Sequence, residues 1–142
     1  MIRKSLLLLA LLLASWIVSA QSYLFKHLEV SDGLSNNSVN TIYKDRDGFM
    51  WFGTTTGLNR YDGAKFITYK HDPENEYSLC HNYVRVLYED SKGRLFVGTY
   101  NGIQLYDPET DSFSARAQWE DGKTFDSNIM SILERRNGEI RS

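Results

Sequence analysis

The residues best placed by type and spacing to bind a metal ion are Asp45 and Asp47, which precede Gly48 in the stretch Asp-Arg-Asp-Gly. Alternate carboxylates before a glycine begin the loop of one common class of calcium site. This stretch lacks the remaining oxygen ligands and the closing glutamate of such a loop. It recurs as Asp-Ser-Lys-Gly at 90–93 and as Arg-Arg-Asn-Gly at 135–138, where cations replace carboxylates. We therefore predict turns at all three places and no metal site.

Histidine and cysteine offer little further chemistry. His27, His71 and His81 lack the spacing of a metal-binding pair, so surface or turn positions suit them better. Cys80 is the single cysteine and has no internal disulfide partner. We expect a small, partly buried side chain there, a bond to another chain being the alternative. No motif of a nucleophile, a phosphate-binding loop or a zinc protease is present, so the sequence predicts no catalytic residue, metal ligand or cofactor.

Aromatic residues are the better candidates for binding. Trp51, Tyr61, Tyr100 and Tyr106 could each stack on a sugar ring at the loop end of a sheet. Most of them occupy positions that recur along the chain, which favours packing in a core. Tyr100 does not recur, because the equivalent residue, 45 positions earlier, is Thr55. We therefore predict Tyr100 as a ligand-contacting residue.

The chain repeats itself with a period of 45 residues. Gly53 and Gly98 keep this offset, as do the Tyr-Asp pairs at 61–62 and 106–107. A period of about 40–50 residues occurs in β-propeller blades and in HEAT-type helical repeats. Helical spacing of apolar residues is absent from residues 21–142, which excludes helical repeats. The two glycines would permit a close backbone approach or a β-bulge.

Each repeat divides into short strand-forming runs separated by turns. In the first repeat the runs are 38–45, 49–56, 58–62 and 65–70. Asp-Gly pairs between such runs are a strong hairpin signal. Apolar residues fall on both faces of the first run, with Val39 and Tyr43 on one face and Ile42 on the other, as expected for a sheet packed between two others. We predict an all-β fold of four-stranded antiparallel sheets, the blades of a β-propeller.

The organisation of the chain follows from this repeat. Residues 1–20 have the basic start, apolar run and small final residues of a secretory signal peptide, an uncleaved anchor being the alternative. The rest divides into an N-terminal strand that would close the last blade (21–33), repeat 1 (34–78), repeat 2 (79–123) and the truncated start of repeat 3 (124–142). A ring needs about four to eight blades. We therefore expect an incomplete ring and an N-terminal fragment, a ring of several short chains being the alternative.

The charge distribution excludes one class of partner. Without residues 1–20 the chain carries 14 basic and 18 acidic residues, a net charge of −4, with the two signs interspersed. Such a surface does not attract nucleic acid or an anionic membrane. We expect no nucleic-acid partner for this segment.

The stretch NSVNTIYKDRDGFMWFGTTTGLNRYDG at 37–63 resembles the two-component regulator propeller repeat of bacterial sensors. That repeat runs as Val-x-x-Ile, Asp-x-x-Gly-x-Leu-Trp-x-Gly-Thr and Gly-Leu-x-x-Tyr-Asp. Residues 84–107 follow it again, with Phe96 in the tryptophan position. The third copy departs from it, since Arg141 stands where tryptophan is expected. The resemblance covers essentially all of residues 21–142.

The resemblance implies the N-terminal, periplasmic sensor region of a hybrid two-component histidine kinase that senses glycan fragments. The kinase, membrane helix and receiver would lie in C-terminal regions beyond this chain. The fragment itself would then not be an enzyme, an oligosaccharide would be its ligand, and the full-length form would be membrane-anchored and homodimeric. The alternatives are a secreted propeller lyase or glycosidase and a propeller interaction scaffold without signalling modules.

Overall fold

The computed structural model of this chain describes residues 25–115 and 128–141. The signal peptide predicted over 1–20 lies outside these residues. Within the described ranges the chain forms two four-stranded sheets and one two-stranded sheet, preceded by one turn of 3₁₀ helix, Val30–Asp32, with no α-helix. The prediction of an all-β fold is confirmed. These ranges hold no helix whose length and apolar character would let it cross a membrane.

The strands of each sheet follow one another in chain order, and every neighbouring pair is antiparallel. The first sheet contains β1 (Val39–Lys44), β2 (Met50–Thr54), β3 (Gly57–Tyr61) and β4 (Phe66–Tyr69); the second contains β5 (Val84–Glu89), β6 (Leu95–Thr99), β7 (Gly102–Asp107) and β8 (Ser112–Phe113); the third begins with β9 (Leu133–Glu134) and β10 (Ile140–Arg141). The four predicted runs of the first repeat match β1 to β4 to within two residues at each end. This is the meander of successive propeller blades.

Tight turns join the first two strands of each sheet. The Gly48 amide donates to the Asp45 carbonyl over 3.1 Å, and the Gly93 amide donates to the Asp90 carbonyl over 2.9 Å. The same hydrogen bond closes the turn at 135–138. Gly48 has a φ of 92°, a region that side-chain-bearing residues rarely occupy. The three predicted turns are therefore confirmed.

The first two sheets share an apolar core. Trp51 from β2 is 1% exposed, and its ring centre lies 4.8 Å from that of Tyr106 on β7 in an edge-to-face arrangement. The other buried members are Leu58, Leu79, Val84, Leu87, Leu95, Val97 and Phe113. Burial of this apolar surface, with its aromatic pairs, holds the two sheets face to face.

The outer faces of these sheets are also apolar, as predicted. On the second sheet, Ile103 packs with Ile129 and Ile132, which lead into the third sheet. On the first sheet, Phe52 and Tyr61 form a cluster with other apolar residues, although Ile42 remains 57% exposed. Each four-stranded sheet therefore offers two faces for packing, which is the property that lets blades stack in a row.

The N-terminal segment lies on the outer face of the first sheet without forming a strand. Residues 25–29 have no regular secondary structure, so the strand predicted over 21–33 is not formed in the described part of that range. Lys26 donates a hydrogen bond to the Tyr61 hydroxyl, and its Nζ lies 5.0 Å from the centre of that ring. A strand requires a neighbour with which to exchange hydrogen bonds, and no strand within 25–115 or 128–141 pairs with this segment. Its role in closing a ring stays a prediction.

Gly98 and Gly53 mark close approaches of one sheet to the next. A Cβ atom on Gly98 would lie 2.9 Å from Ile129 Cγ2, on the segment leading into the third sheet, and 2.4 Å from Val86 Cγ1 on the neighbouring strand of its own sheet. Gly53 is equally crowded. The pairing of β5 with β6 shifts register between Val84 and Val86, next to this contact. The predicted close approach and β-bulge are both present.

Candidate functional site

The aromatic residues that recur along the repeat are structural. Trp51, Tyr61 and Tyr106 are buried within the apolar clusters. The Tyr61 hydroxyl donates to the carbonyl of Gly63 over 2.6 Å, which ties the strand to the turn that follows it. The prediction that these repeated rings serve core packing is confirmed, and they are not available to a ligand.

The aspartates of the calcium-like stretch serve their own turn. Asp45 Oδ1 accepts the amide of Phe49 over 2.9 Å, and Oδ2 accepts the Trp51 indole N–H over 2.6 Å. Asp90 likewise accepts the Arg94 amide and side chain over 2.8 and 2.7 Å. Both oxygens of each carboxylate therefore hold the β-hairpin in shape. Across the described residues, no three histidine, cysteine, aspartate or glutamate side chains are grouped so that they could hold a metal ion.

The histidines take part in local hydrogen bonds. His71 Nδ1 lies 2.6 Å from the Leu79 carbonyl oxygen, and His81 Nδ1 accepts the amide of Tyr83 over 3.0 Å. His27 is exposed near the start of the described chain. The structure does not bring the three together.

Two buried amide side chains, which the sequence analysis missed, anchor the segments that enter each sheet. Gln104 Oε1 accepts the amide of Cys80 over 2.7 Å, and its Nε2 donates to the Ser78 carbonyl over 3.0 Å. Asn59, 45 positions earlier, accepts the amide of Ser35 in the same way over 2.9 Å. The signal in the sequence was an amide at the same position of two equivalent strands, 45 residues apart. Cys80, held beside Gln104, is partly buried as predicted.

Tyr100 lies at the turn between β6 and β7 and is 55% exposed. Its ring centre is 5.6 Å from that of His81 and 6.3 Å from that of Tyr83. The Tyr100 amide also donates to the Tyr83 carbonyl over 3.0 Å, which holds the turn against the segment that enters β5. Three rings are thus fixed together at one end of the second sheet.

Arg85 extends this group towards the third sheet. It occupies the bulge of β5, where its Cζ lies 5.6 Å from the centre of the Tyr83 ring. Its Nη1 donates to Asn128 Oδ1 over 3.2 Å. We call the following five residues the linker-end ridge, because they lie at the end of the sheets where one repeat is joined to the next: His81, Tyr83, Arg85, Tyr100 and Asn128.

The ridge combines varied side chains with a repeated framework. Beneath it, Thr99 Oγ1 donates to the Gly102 carbonyl over 3.1 Å, and Thr54 Oγ1 makes the equivalent bond to Gly57 over 2.9 Å. The equivalents of His81, Tyr83, Arg85 and Tyr100 in the first repeat are Asn36, Ser38, Asn40 and Thr55. A constant scaffold that carries non-repeated side chains, of which Tyr100 and Asn128 are exposed and the others half-buried, is the arrangement expected of a binding surface.

A second polar cluster, also missed from the sequence, joins the outer strands of the first two sheets. Arg60 Nη1 lies 3.1 Å from Asp111 Oδ1, which also accepts the hydroxyls of Tyr69 and Tyr106 over 2.6 Å each. Four aromatic rings have their centres within 5.8 Å of the Arg60 Cζ: Phe49, Trp51, Tyr69 and Tyr106. Asp111 has a φ of 51° and is the one non-glycine residue with positive φ in the described ranges.

The charges of this cluster support one another. Burial alone would raise the pKa of Asp111, but the hydrogen bonds from Tyr106 and Tyr69 and the positive charge of Arg60 together hold that pKa below its usual value. Burial, followed by the hydrogen bond to Asp111, raises the pKa of Tyr106 to about 12. Both tyrosines therefore remain neutral hydrogen-bond donors at neutral pH. The cluster links two blades, so we assign it to structure.

We expect Asp111→Asn to lower the free energy of unfolding by about 1 kcal/mol at pH 7, a small value because the carboxylate is half exposed and screened by solvent. The folded pKa of Asp111 lies below the unfolded one, so the carboxylate stabilises the fold above about pH 4 and loses this effect as the pH falls through its folded pKa. Urea unfolding of both proteins at pH 7 and pH 3 should show the difference shrinking at the lower pH. Asparagine tolerates the positive φ of this position, which makes it the appropriate replacement. If the difference in unfolding free energy between the two proteins is the same at pH 7 and pH 3, the stabilising role assigned to the Asp111 carboxylate is contradicted.

A cavity of about 890 Å³ lies at the opposite end of the sheets from the ridge, against the turns 45–47, 92–94 and 107–112. Its volume would suit a small ligand. Its two arginines are already paired, Arg46 with Glu89 over 2.5 Å and Arg94 with Asp90 over 2.6 Å. Its floor belongs to the core between the first two sheets. Because its arginines are already paired with carboxylates of the fold, we favour the ridge over this cavity as the candidate site.

Comparison with known proteins agrees with this architecture. Residues 33–56 and 78–101 each match the family described as two component regulator propeller. A protein named histidine kinase P4 of Formosa agariphila is 37% identical over 75 residues, which are 53% of this chain and 6% of that protein.

Solved structures with the same fold come from B. thetaiotaomicron. The extracellular domain of a putative hybrid two component system is 33% identical, with a TM-score of 0.69 over 82% of this chain and 17% of that one. The extracellular domain of a putative one component system is 25% identical, with a TM-score of 0.68 over 85% of this chain and 17% of that one. This chain therefore spans only a small part of the length of these relatives. Each of its two complete repeats contains a stretch that matches the two component regulator propeller family.

Proposed function

We propose that this chain is the outermost part of a periplasmic sensor region of a hybrid two-component histidine kinase, and that the linker-end ridge contacts an oligosaccharide. In this role the chain binds and does not catalyse. The observation that carries the proposal is the exposed Tyr100 ring, held beside His81 and Tyr83 on a framework that otherwise repeats.

The chemistry of the ridge suits a sugar. Aromatic faces bind the apolar face of a pyranose, while neighbouring polar groups bind its hydroxyls. Tyr100 supplies an exposed face, and Asn128 and Asn101 supply amide groups at the same end of the sheets. The repeated carboxylates and amides inside the sheets are used in the fold, whereas the ridge residues differ between the two repeats.

The sensor role is supported by the relatives. One is named a histidine kinase, and the solved structures are extracellular domains of proteins described as putative two component and one component systems. A kinase, a membrane helix and a receiver would lie in other parts of the full-length protein. Export by residues 1–20 would place the ridge outside the cytoplasmic membrane.

The position of the ridge suits a signal that depends on blade arrangement. Arg85 comes from β5, whereas Asn128 precedes β9, so a ligand on the ridge would contact the second sheet and the approach to the third. A ligand shifts a conformational equilibrium only by binding one state more tightly than the other. Contacts with two blades at once provide such a difference if signalling changes their relative position.

We expect Tyr100→Ala to weaken oligosaccharide binding about ten-fold, because loss of a stacked ring removes roughly 1.4 kcal/mol of binding free energy. The measurement is isothermal titration calorimetry of the full-length chain with neutral trisaccharides of galactose, xylose and glucose. Stability should be nearly unchanged, since the side chain is more than half exposed.

Tyr77→Ala is the matched control. Tyr77 is 58% exposed and lines the cavity at the other end of the sheets, so its removal deletes an equally accessible ring away from the ridge. The Tyr77→Ala variant should bind the oligosaccharide with the same affinity as the unaltered protein. Loss of binding in Tyr77→Ala but not in Tyr100→Ala would move the site to the cavity, and absence of binding to every trisaccharide would reject a glycan ligand.

A further inference from the structure

We propose that Arg85 forms a subsite for an anionic group on the bound sugar, so that the ligand of the linker-end ridge is an acidic saccharide bearing a carboxylate or a sulfate. This inference rests on the proposed function of the ridge and specifies the class of glycan.

Arg85 differs from most other arginines of the described ranges in having no carboxylate beside it. Five arginines of the described ranges form ion pairs with aspartate or glutamate: Arg46, Arg60, Arg94, Arg135 and Arg141. Arg85 instead has neutral neighbours, Asn128 and the ring of Tyr83. Its positive charge is therefore not compensated within the described part of the chain.

The guanidinium is held in place and retains donors for a ligand. One N–H of Arg85, on Nη1, donates to Asn128, and the Tyr83 ring supports the group at 5.6 Å. A guanidinium carries five N–H donors in a planar fork that matches the oxygens of a carboxylate or sulfate. Charge-assisted bonds of this kind are about twice as strong as neutral ones. Pre-positioning reduces the entropy that a ligand would lose in ordering the side chain.

The β-bulge does not itself require arginine. The equivalent residue in the first repeat is Asn40, whose Nδ2 donates to the Val84 carbonyl over 2.8 Å and so links two sheets. The equivalent residue in the third repeat is Met130, which is exposed. A cation at this position is specific to the second repeat, where Tyr83 and Tyr100 also replace Ser38 and Thr55.

The charge and the stacking surface are adjacent. The Tyr83 ring lies between Arg85 and Tyr100, 6.3 Å from the ring centre of the latter. No ridge residue is acidic, while the chain as a whole carries a net negative charge. An anionic sugar would therefore meet a local cation on a surface that otherwise repels it, which makes Arg85 the determinant of selectivity.

The test compares three related probes by calorimetry on the full-length chain: a neutral galactose trisaccharide, a galacturonate trisaccharide and a sulfated galactose trisaccharide. We expect at least one acidic probe to bind about ten-fold or more tightly than the neutral one at low salt, and to lose this advantage as salt is raised. The galacturonate and sulfated arms distinguish a carboxylate subsite from a sulfate subsite.

Arg85→Gln should abolish the preference, reducing affinity for the acidic probe about ten-fold while leaving the neutral probe within about two-fold. Arg136→Gln, which removes the same charge from the turn at 135–138, is the matched control and should change neither. Equal binding of neutral and acidic probes, or an equal loss for all probes in Arg85→Gln, would overturn the anionic subsite. If the neutral trisaccharide still binds and Tyr100→Ala weakens that binding, the proposed function of the ridge stands without the anionic subsite. If none of the three probes binds, both proposals are overturned.

Discussion

Trp51→Ala is expected to lower the free energy of unfolding by about 3–5 kcal/mol, the range for removal of a buried large aromatic side chain. The Trp51 side chain is nearly fully buried between the first two sheets, 4.8 Å from Tyr106 and 5.8 Å from Tyr69 measured between ring centres. Its removal would leave a cavity that two sheets of hydrogen-bonded strands cannot close by small shifts. Urea unfolding at pH 7, followed by far-ultraviolet circular dichroism, measures the loss.

The repeat supplies the control for this substitution. The second repeat has Phe96 at the equivalent position, so Trp51→Phe keeps an aromatic ring in the core and should cost only about 1–2 kcal/mol. Part of that cost is the lost hydrogen bond from the indole N–H to Asp45. In the second repeat the corresponding oxygen of Asp90 is occupied by Arg94 instead. Equal losses for the alanine and phenylalanine variants would contradict a packing role for the ring.

The strands and turns could be predicted because their determinants are local. In Asp-x-x-Gly the carboxylate accepts a main-chain amide next to the following strand and the glycine takes the positive φ, which together shape the turns at Gly48 and Gly93. The 45-residue period then shows that the sheets are equivalent. The same period distinguishes the recurring Trp51 and Tyr106, which are buried, from the non-recurring Tyr100, which is exposed.

The polar clusters could not be predicted because their members are distant in the sequence. Arg60 and Asp111 lie 51 positions apart and meet only because the second sheet packs on the first. Their positions also fall outside the 45-residue offset, so the repeat gave no signal. Arg85 was missed because its hydrogen bond to Asn128, 43 positions later, forms only once the segment leading into the third sheet is in place.

The N-terminal segment illustrates how a correct local pattern can fail without its partner. The sequence predicts a strand within 21–33, but strand structure requires hydrogen bonds from a neighbouring chain segment. In the described residues Lys26 instead covers Tyr61, much as Arg60 covers Tyr106 one blade later. Each of the two blades therefore has a cation over this tyrosine. The N-terminal segment supplies it for Tyr61, and β3 supplies it for Tyr106.

Gly98→Ala is expected to destabilise the fold by about 1–3 kcal/mol, the cost of overpacking a close contact. The sign is diagnostic, because at an ordinary strand position alanine is favoured over glycine by roughly 0.5–1 kcal/mol. Gly98 does not have a positive φ, so the penalty would come from its neighbours, Val86 Cγ1 at 2.4 Å and Ile129 Cγ2 at 2.9 Å from the added Cβ. Thermal and urea unfolding of the full-length chain measure the effect.

A double-mutant cycle isolates the contact. Ile129→Ala removes Cγ2, the contact that comes from the segment leading into the third sheet, and by itself should cost about 2–5 kcal/mol, since the side chain is buried. Combined with Gly98→Ala, it should restore part of the lost stability, giving a coupling of about 1 kcal/mol between the two positions. Strictly additive losses would mean that the sheets do not approach each other at Gly98. Coupling would establish that a residue without a side chain sets the distance between blades, and hence the spacing of the ridge residues that two blades contribute.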